Sequence, residues 1–255
     1  MTNVVNSRNA ILFCSLLFAV ASSAVVNAEE FDSAGVKIHY EIKGAGEPVI
    51  LIHGLYASAK LNWDLPGVTK ELAKQYRVIA LDNRGHGESG RPAADSEYGE
   101  KMAGDIIRLM DHLHLTNARV VGYSLGGMIA MKLVVQHPER VRSVVLGGMG
   151  WFRADMPGLH YWEKARDEDN MFVPAACLRA MSKLGVTAAE VKAVRVPVVM
   201  IVGDQDPLLQ ACVAPMHKLR PDWPEHIIKG AGHMDCVFKA DFKEQLKAAL
   251  EERKD

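Results

Sequence analysis

The sequence predicts an α/β fold: a mostly parallel sheet with helices on both faces and a short helical lid. Three observations carry this. Strand-length apolar runs at Pro48–Ile52, Val78–Leu81 and Val198–Val202 read as strands covered on both faces. Segments with helical spacing, such as Met102, Ile106, Leu109, Met110 and Leu113, alternate with them. Each apolar run ends in a polar, glycine-containing loop, which is where ligands bind in open α/β sheets.

In chain order, Arg8 precedes the apolar run Ala10–Val20, and Val26-Asn27-Ala28 supplies small residues before Glu29. This reads as a secretory signal over residues 1–28, cleaved after Ala28, and predicts export to the periplasm or beyond the cell. The competing reading is an uncleaved anchor, but Ser15, Ser22 and Ser23 make a poor membrane span. Residues 29–255 then form a single domain, with no stable membrane insertion expected. Val36–Lys43 alternates apolar and polar residues, as in an antiparallel strand with one wet face. The Pro48–Ile52 strand leads into His53-Gly54-Leu55-Tyr56, and the strand Arg77–Leu81 into Asp82-Asn83-Arg84-Gly85-His86-Gly87-Glu88-Ser89. Asn117–Val121 and Val141–Leu146 are further strands. Between Gly147 and Val196 the pattern loosens, and a lid is expected at about 151–190, with the run Glu163–Asp169 as its solvated face. Within it Thr187-Ala188-Ala189-Glu190 has capping-box spacing and opens a short helix. After Val198–Val202 come Gly203-Asp204-Gln205-Asp206, the strand His226–Ile228, Gly230-Ala231-Gly232-His233, and a last helix with Phe242, Leu246 and Leu250 in step.

The 255 residues are 49% hydrophobic with a formal net charge of −1. Such a chain fills one core and offers no electrostatic case for nucleic acid, so a small-molecule partner is expected. No His/Asp/Glu cluster has metal-ligand spacing and no phosphate loop follows a strand, so neither metal nor cofactor is expected. Export leaves Cys177, Cys212 and Cys236; the alternatives are a Cys212–Cys236 disulfide or three buried thiols.

The chemistry centres on Gly122-Tyr123-Ser124-Leu125-Gly126-Gly127. A serine on a tight strand-to-helix turn takes a strained backbone, and neighbours two residues away must lack bulk. Ser124 is the candidate nucleophile, and the Leu125 N–H, opening the helix, can face an oxyanion. His233 can take the serine proton and return it to a leaving group. Either Asp204 or Asp206 can orient that imidazole.

Taken jointly and in order, His53-Gly54, Asp82-x-Arg84-Gly85-His86-Gly87-x-Ser89, Gly122-x-Ser124-x-Gly126, Gly203-Asp204-Gln205-Asp206 and Gly230-Ala231-Gly232-His233 resemble the α/β-hydrolase family over nearly all of the mature chain. The resemblance implies an eight-stranded sheet with these loops after strands three, four, five, seven and eight. It implies a triad of Ser124, Asp206 and His233, with Asp204 satisfying loop amides and His53 and His86 shaping turns. It places the second oxyanion donor on the backbone N–H of Leu55. The same fold hosts dehalogenases and epoxide hydrolases with an aspartate nucleophile, and Ser124 argues against both. The implied activity is cleavage of carboxylic esters or lactones through an acyl-enzyme. Carbon–carbon bond hydrolysis or perhydrolysis on the same triad is the first alternative, and a ligand-binding protein on a hydrolase scaffold the second. Tyr56, Tyr123, Trp151, Phe152 and Met234 flank the loops and are expected to line an apolar pocket. Substrate identity, acyl length and oligomeric state lie beyond the sequence.

Overall fold

In the computed structural model, which describes residues 27–153, 156 and 172–251, period two along the buried strands sorts side chains into two cores. In β3 (Glu47–Ile52) Ile50 and Ile52 enter one core, and Val49 and Leu51 the other. The same division separates Ile79 and Leu81 from Val78 and Ala80 in β4 (Tyr76–Leu81), and Met200 and Val202 from Val199 and Ile201 in β7 (Val198–Gly203). Both faces are dry, which is why these strands read as continuous apolar runs. Removing a side chain of this size from water contributes about 1.5–3 kcal/mol, so neither face tolerates a polar replacement.

The eight strands lie in the order β1-β2-β4-β3-β5-β6-β7-β8. Here β1 is Asn27–Asp32, β2 Lys37–Lys43, β5 Ala118–Tyr123, β6 Val141–Gly147 and β8 Glu225–Ile228. The pairs β1/β2 and β2/β4 are antiparallel and the others parallel. The strand β1 has no counterpart in the apolar pattern, because Glu29-Glu30-Phe31-Asp32 offers one apolar residue in four; its backbone pairing with β2 defines it. The expected signal falls on residues outside the described part, apart from Asn27 and Ala28, which open β1.

Helices α2 (Glu100–His112) and α3 (Leu125–Gln136) cover the first core, with Met102, Ile106, Leu109 and Met110 buried as the spacing predicts. Helices α1 (Val68–Leu72) and α7 (Ala240–Glu251) cover the second, where Phe242, Leu246 and Leu250 are buried. Buried Arg84, in the turn after β4, donates through Nε and Nη2 to the Asp105 carboxylate of α2 at 2.6 and 2.5 Å. The pair ties the turn to the helix, and losing one partner leaves a buried charge at a cost of about 3–5 kcal/mol.

Between β6 and β7, much of the expected lid lies outside the described residues. The described part is wall: Val173, Leu178 and Leu184 join the first core around α4 (Ala175–Arg179). The capping box forms as read, with Thr187 Oγ1 accepting from the Glu190 N–H and Glu190 Oε2 from the Thr187 N–H, and it starts α5 (Ala188–Ala193). A further helix, α6 (Ala214–Leu219), follows β7.

Candidate active site

The Ser124 turn is shaped by what is missing. Ser124 adopts φ 53° and ψ −114°, a conformation that L side chains avoid and that costs on the order of 1–3 kcal/mol. Its surroundings enforce it. A Cβ on Gly122 would fall 2.2 Å from the Gly126 carbonyl oxygen, and one on Gly126 would fall 2.0 Å from the Ile52 carbonyl oxygen. Both glycines of the motif are therefore steric requirements of packing α3 against the ends of β3 and β5. The Ser124 N–H donates to the Gly147 carbonyl at 2.9 Å, and the Ser124 carbonyl accepts from Gly127 at 2.8 Å.

The loops after β7 and β8 bring the two partners to Ser124. A Cβ on Gly203 would meet the Ala231 carbonyl oxygen at 2.0 Å, so the two loops are in van der Waals contact there. The Gln205 N–H donates to that same carbonyl at 2.9 Å, and Asp204 Oδ1 accepts from the Ala231 N–H at 3.3 Å. Asp204 thus serves a loop amide. Asp206 faces the imidazole instead: His233 Nδ1–H donates to Asp206 Oδ2 at 2.7 Å, and Ser124 Oγ–H donates to His233 Nε2 at 2.9 Å. The Asp206 side chain is wholly buried, and its Oδ1 accepts from the Leu208 N–H at 2.8 Å. This fixes the tautomer with Nε2 free to accept the serine proton.

On the other side of Ser124 lies the loop after β3. A Cβ on Gly54 would stand 3.3 Å from Ser124 Cβ, so the loop packs directly against Ser124. Leu125 opens α3, and its N–H is a first-turn donor with no intrahelical acceptor. His53 is fully buried. Its Nδ1–H donates to the Gly54 carbonyl at 2.7 Å and its Nε2 accepts from the Asn83 N–H at 3.0 Å. Burial pushes its pKa down, so it sits neutral in that tautomer and has no free nitrogen for Ser124. His86 packs edge-on against it, with ring centroids 5.2 Å apart. Burial, and then the neighbouring imidazole, hold His86 down at about 3. The Asp82 carboxylate gathers the Ala59 N–H at 2.7 Å, the Glu88 N–H at 2.9 Å and His39 Nδ1 at 3.2 Å.

The pocket expectations divide. Trp151 and Phe152 pack against the first core, and Trp151 Nε1–H donates to the Val186 carbonyl at 2.9 Å. Tyr56, with φ 60°, is half-exposed and meets the Phe172 ring edge-on at 6.5 Å. Tyr123 is a correction. Strand alternation sends its ring into the second core, against Trp63 and Phe242, rather than into a pocket. There its hydroxyl donates to the His233 carbonyl at 2.6 Å, so it tethers the histidine loop. Met234 is also corrected: its side chain is 80% exposed and stands in solvent. The disulfide is not formed. Cys177, Cys212 and Cys236 are buried free thiols, and Cys212 and Cys236 sit in cores on opposite faces of the sheet. Burial pushes the three up to about 12, 11 and 12 respectively.

The sequence reading missed Asn62, on the short π-helical turn Lys60–Asp64, whose Oδ1 accepts the Gly54 N–H at 2.9 Å. No spacing marks it; only the folded turn brings it back eight residues. Among the described residues no group of three His, Cys, Asp or Glu side chains could hold a metal, and no helix is long and apolar enough to cross a membrane.

Comparison with known proteins places these features in a wider setting. A family model described as the alpha/beta hydrolase fold matches residues 47–175. The 2-hydroxymuconate semialdehyde hydrolase of Pseudomonas sp. (strain CF600) is 43% identical over 122 residues, 47% of this chain and 42% of that protein. A haloalkane dehalogenase of Mycobacterium tuberculosis is 35% identical over 125 residues, 49% of this chain and 43% of that protein. The matched stretches span under half the length of these relatives. Among solved structures, a meta-cleavage product hydrolase from Pseudomonas fluorescens IP01 superposes with a TM-score of 0.69 at 25% identity, over 88% of this chain and 97% of that one.

Proposed function

We propose, for a chain that belongs to the α/β-hydrolase fold family, a serine hydrolase that cleaves carboxylic esters or lactones through an acyl-enzyme on Ser124. The observation that carries this reading is the relay from Ser124 Oγ through His233 to buried Asp206, with links of 2.9 and 2.7 Å. His233 Nε2 takes the hydroxyl proton as Oγ adds to the substrate carbonyl. The N–H groups of Leu55 and Leu125 receive the negative charge on the former carbonyl oxygen. The intermediate collapses, the carbon–oxygen bond to the alcohol breaks, and His233 returns the proton to the departing alkoxide. Water, deprotonated by the same imidazole, then releases the acid and restores Ser124. A serine at this position speaks against the carboxylate-nucleophile chemistry of the dehalogenase branch.

The test is intact mass after a fluorophosphonate probe, with Ser124→Ala beside it and a chain-length series of p-nitrophenyl esters. One adduct that vanishes in Ser124→Ala, with ester turnover, is expected. A folded protein that takes no adduct overturns the reading and favours a binding protein. The second reading, carbon–carbon bond hydrolysis, is favoured by the 43% identity to the 2-hydroxymuconate semialdehyde hydrolase. A faster loss of that dienal's absorbance than of any ester would make it the better one. The basic start and apolar run before Asn27 support export, and N-terminal sequencing of protein from the cell envelope tests cleavage after Ala28.

A further inference from the structure

We infer that Asn62 is a positioning residue for the oxyanion site: its carboxamide fixes the turn that aims the Leu55 N–H at the reacting carbonyl. The inference rests on the serine-hydrolase reading above and deepens it. The geometry starts from the peptide unit that joins Gly54 to Leu55, because its N–H is the proposed donor. The carbonyl of that unit accepts from His53 Nδ1–H at 2.7 Å. A trans peptide points its N–H opposite to its carbonyl, so this bond sets one end of the donor's axis. A second, long bond to the same carbonyl, from the Ala57 N–H at 3.4 Å, still leaves the unit able to rock about the preceding dihedrals, which are soft at glycine. Asn62 removes that freedom, since its Oδ1 accepts the Gly54 N–H at 2.9 Å and pins the backbone just before the donor.

Two further observations separate this from ordinary packing. The Asn62 Oδ1 lies 3.5 Å from where a Gly54 Cβ would be, and the same point is 3.3 Å from Ser124 Cβ. The carboxamide oxygen therefore reaches the Gly54 backbone where that backbone lies against Ser124. The side chain is also 93% buried by its 7% exposure, and its Nδ2 has no hydrogen-bond partner. Leaving a buried amide donor unpaired costs about 1–3 kcal/mol, which an apolar residue of similar shape would avoid. What the position supplies in return is the acceptor for the Gly54 N–H.

The experiment compares Asn62→Ala with wild type on matched ester and thionoester substrates, with Trp63→Phe as a control on the same turn. The larger, weakly accepting thiono sulfur makes poor use of oxyanion donors, so the ester/thionoester ratio of kcat reports on donor aim. A misaimed donor is expected to lower ester kcat about tenfold, less than the 10²–10³ of deleting one. KM should stay within about twofold, and the ester/thionoester ratio should shrink by the same factor as kcat. Trp63→Phe should leave the ratio at the wild-type value. Should Asn62→Ala fold poorly, Asn62→Ser, whose hydroxyl is too short for the Gly54 N–H, takes its place. Hydrogen exchange at Gly54 then shows that the bond is gone. A folded variant with that amide deprotected and an unchanged ratio overturns the inference, as does a raised KM with unchanged kcat. Failure of the serine-hydrolase reading looks different: the wild type itself then takes no fluorophosphonate and turns over neither substrate, and both ideas fall together.

Discussion

The Ser124 turn and the His233 loop hold two ends of one hydrogen-bonded chain by opposite means. Ser124 is placed by exclusion: Gly122 and Gly126 lie where any Cβ would collide with backbone, so the turn has one way to pack. His233 is placed by attachment, through its Nδ1–H bond to the Asp206 carboxylate and the Tyr123 hydroxyl's bond to its carbonyl. Steric placement tolerates no substitution but has little sensitivity to solvent conditions. Placement by hydrogen bonds tolerates substitution at a graded cost and depends on protonation. The comparison makes predictions that differ in size and in kind.

The largest effect is expected at the steric end. Gly126→Ala puts a Cβ 2.0 Å from the Ile52 oxygen, in backbone that cannot yield, and should abolish soluble folded protein. Soluble yield and far-ultraviolet circular dichroism check this; a folded variant labelled at the wild-type rate would break the comparison. Next comes Asp206→Asn. Its amide N–H can turn toward Nδ1 and force the imidazole into the tautomer that cannot accept the Ser124 proton. Loss of kcat should reach about 10⁴-fold with folding intact, measured by ester turnover beside thermal unfolding. Tyr123→Phe keeps the ring in the second core and deletes the 2.6 Å bond to the His233 carbonyl together with the hydroxyl's contact with the Cys236 thiol. It should cost about 0.5–1.5 kcal/mol, appearing as a several-fold lower kcat with little change in KM. An unchanged kcat would mean that Asp206 alone holds the histidine.

The smallest effect near neutrality concerns the histidines under the turn after β3. His86 sits at about 3 in the folded protein against an ordinary 6.5. On acidification the unfolded chain therefore takes up this proton first. The stability is fully present above about 6.5 and is lost as pH falls toward about 3, at up to about 1.4 kcal/mol per pH unit from this group. Buried His53, shifted in the same direction, adds to the trend. Urea midpoints at pH 7, 6 and 5 should fall in order, and His86→Asn should flatten the slope. Equal slopes in both proteins would show that other groups govern acid sensitivity.

The contrast also explains what could be read before the structure was known. Exclusion leaves a local trace, because the glycines that make room for Ser124 stand at fixed spacing around it. Dry strands leave one too, since both faces demand apolar residues, and so does the Thr187–Glu190 box, whose partners are three residues apart. Attachment leaves almost none. Tyr123 flanks the nucleophile in sequence and looks like pocket lining, yet strand alternation turns it to the far face of the sheet. Asn62 and Asn83 reach the His53-Gly54 turn only after the chain has folded back. The proximity of Cys212 and Cys236 to Asp206 and His233 in sequence suggested a disulfide, but it carries no information about which side of the sheet each thiol faces. The strand β1, held by its pairing with β2 and by Phe31 as its one buried apolar side chain, is nearly silent for the same reason.

That strand sets how the molecule can be handled. It lies at the outer edge of the sheet, with β2, β4 and β3 between it and the strand that carries Ser124. Cleavage after Ala28 would remove two of its six pairings with β2 and leave the register of the other four as it is. A change at that end of β1 thus alters a margin of the sheet separated by three strands from the Ser124 turn. Tethering this protein to a surface, a reporter or a second enzyme is best done from that edge.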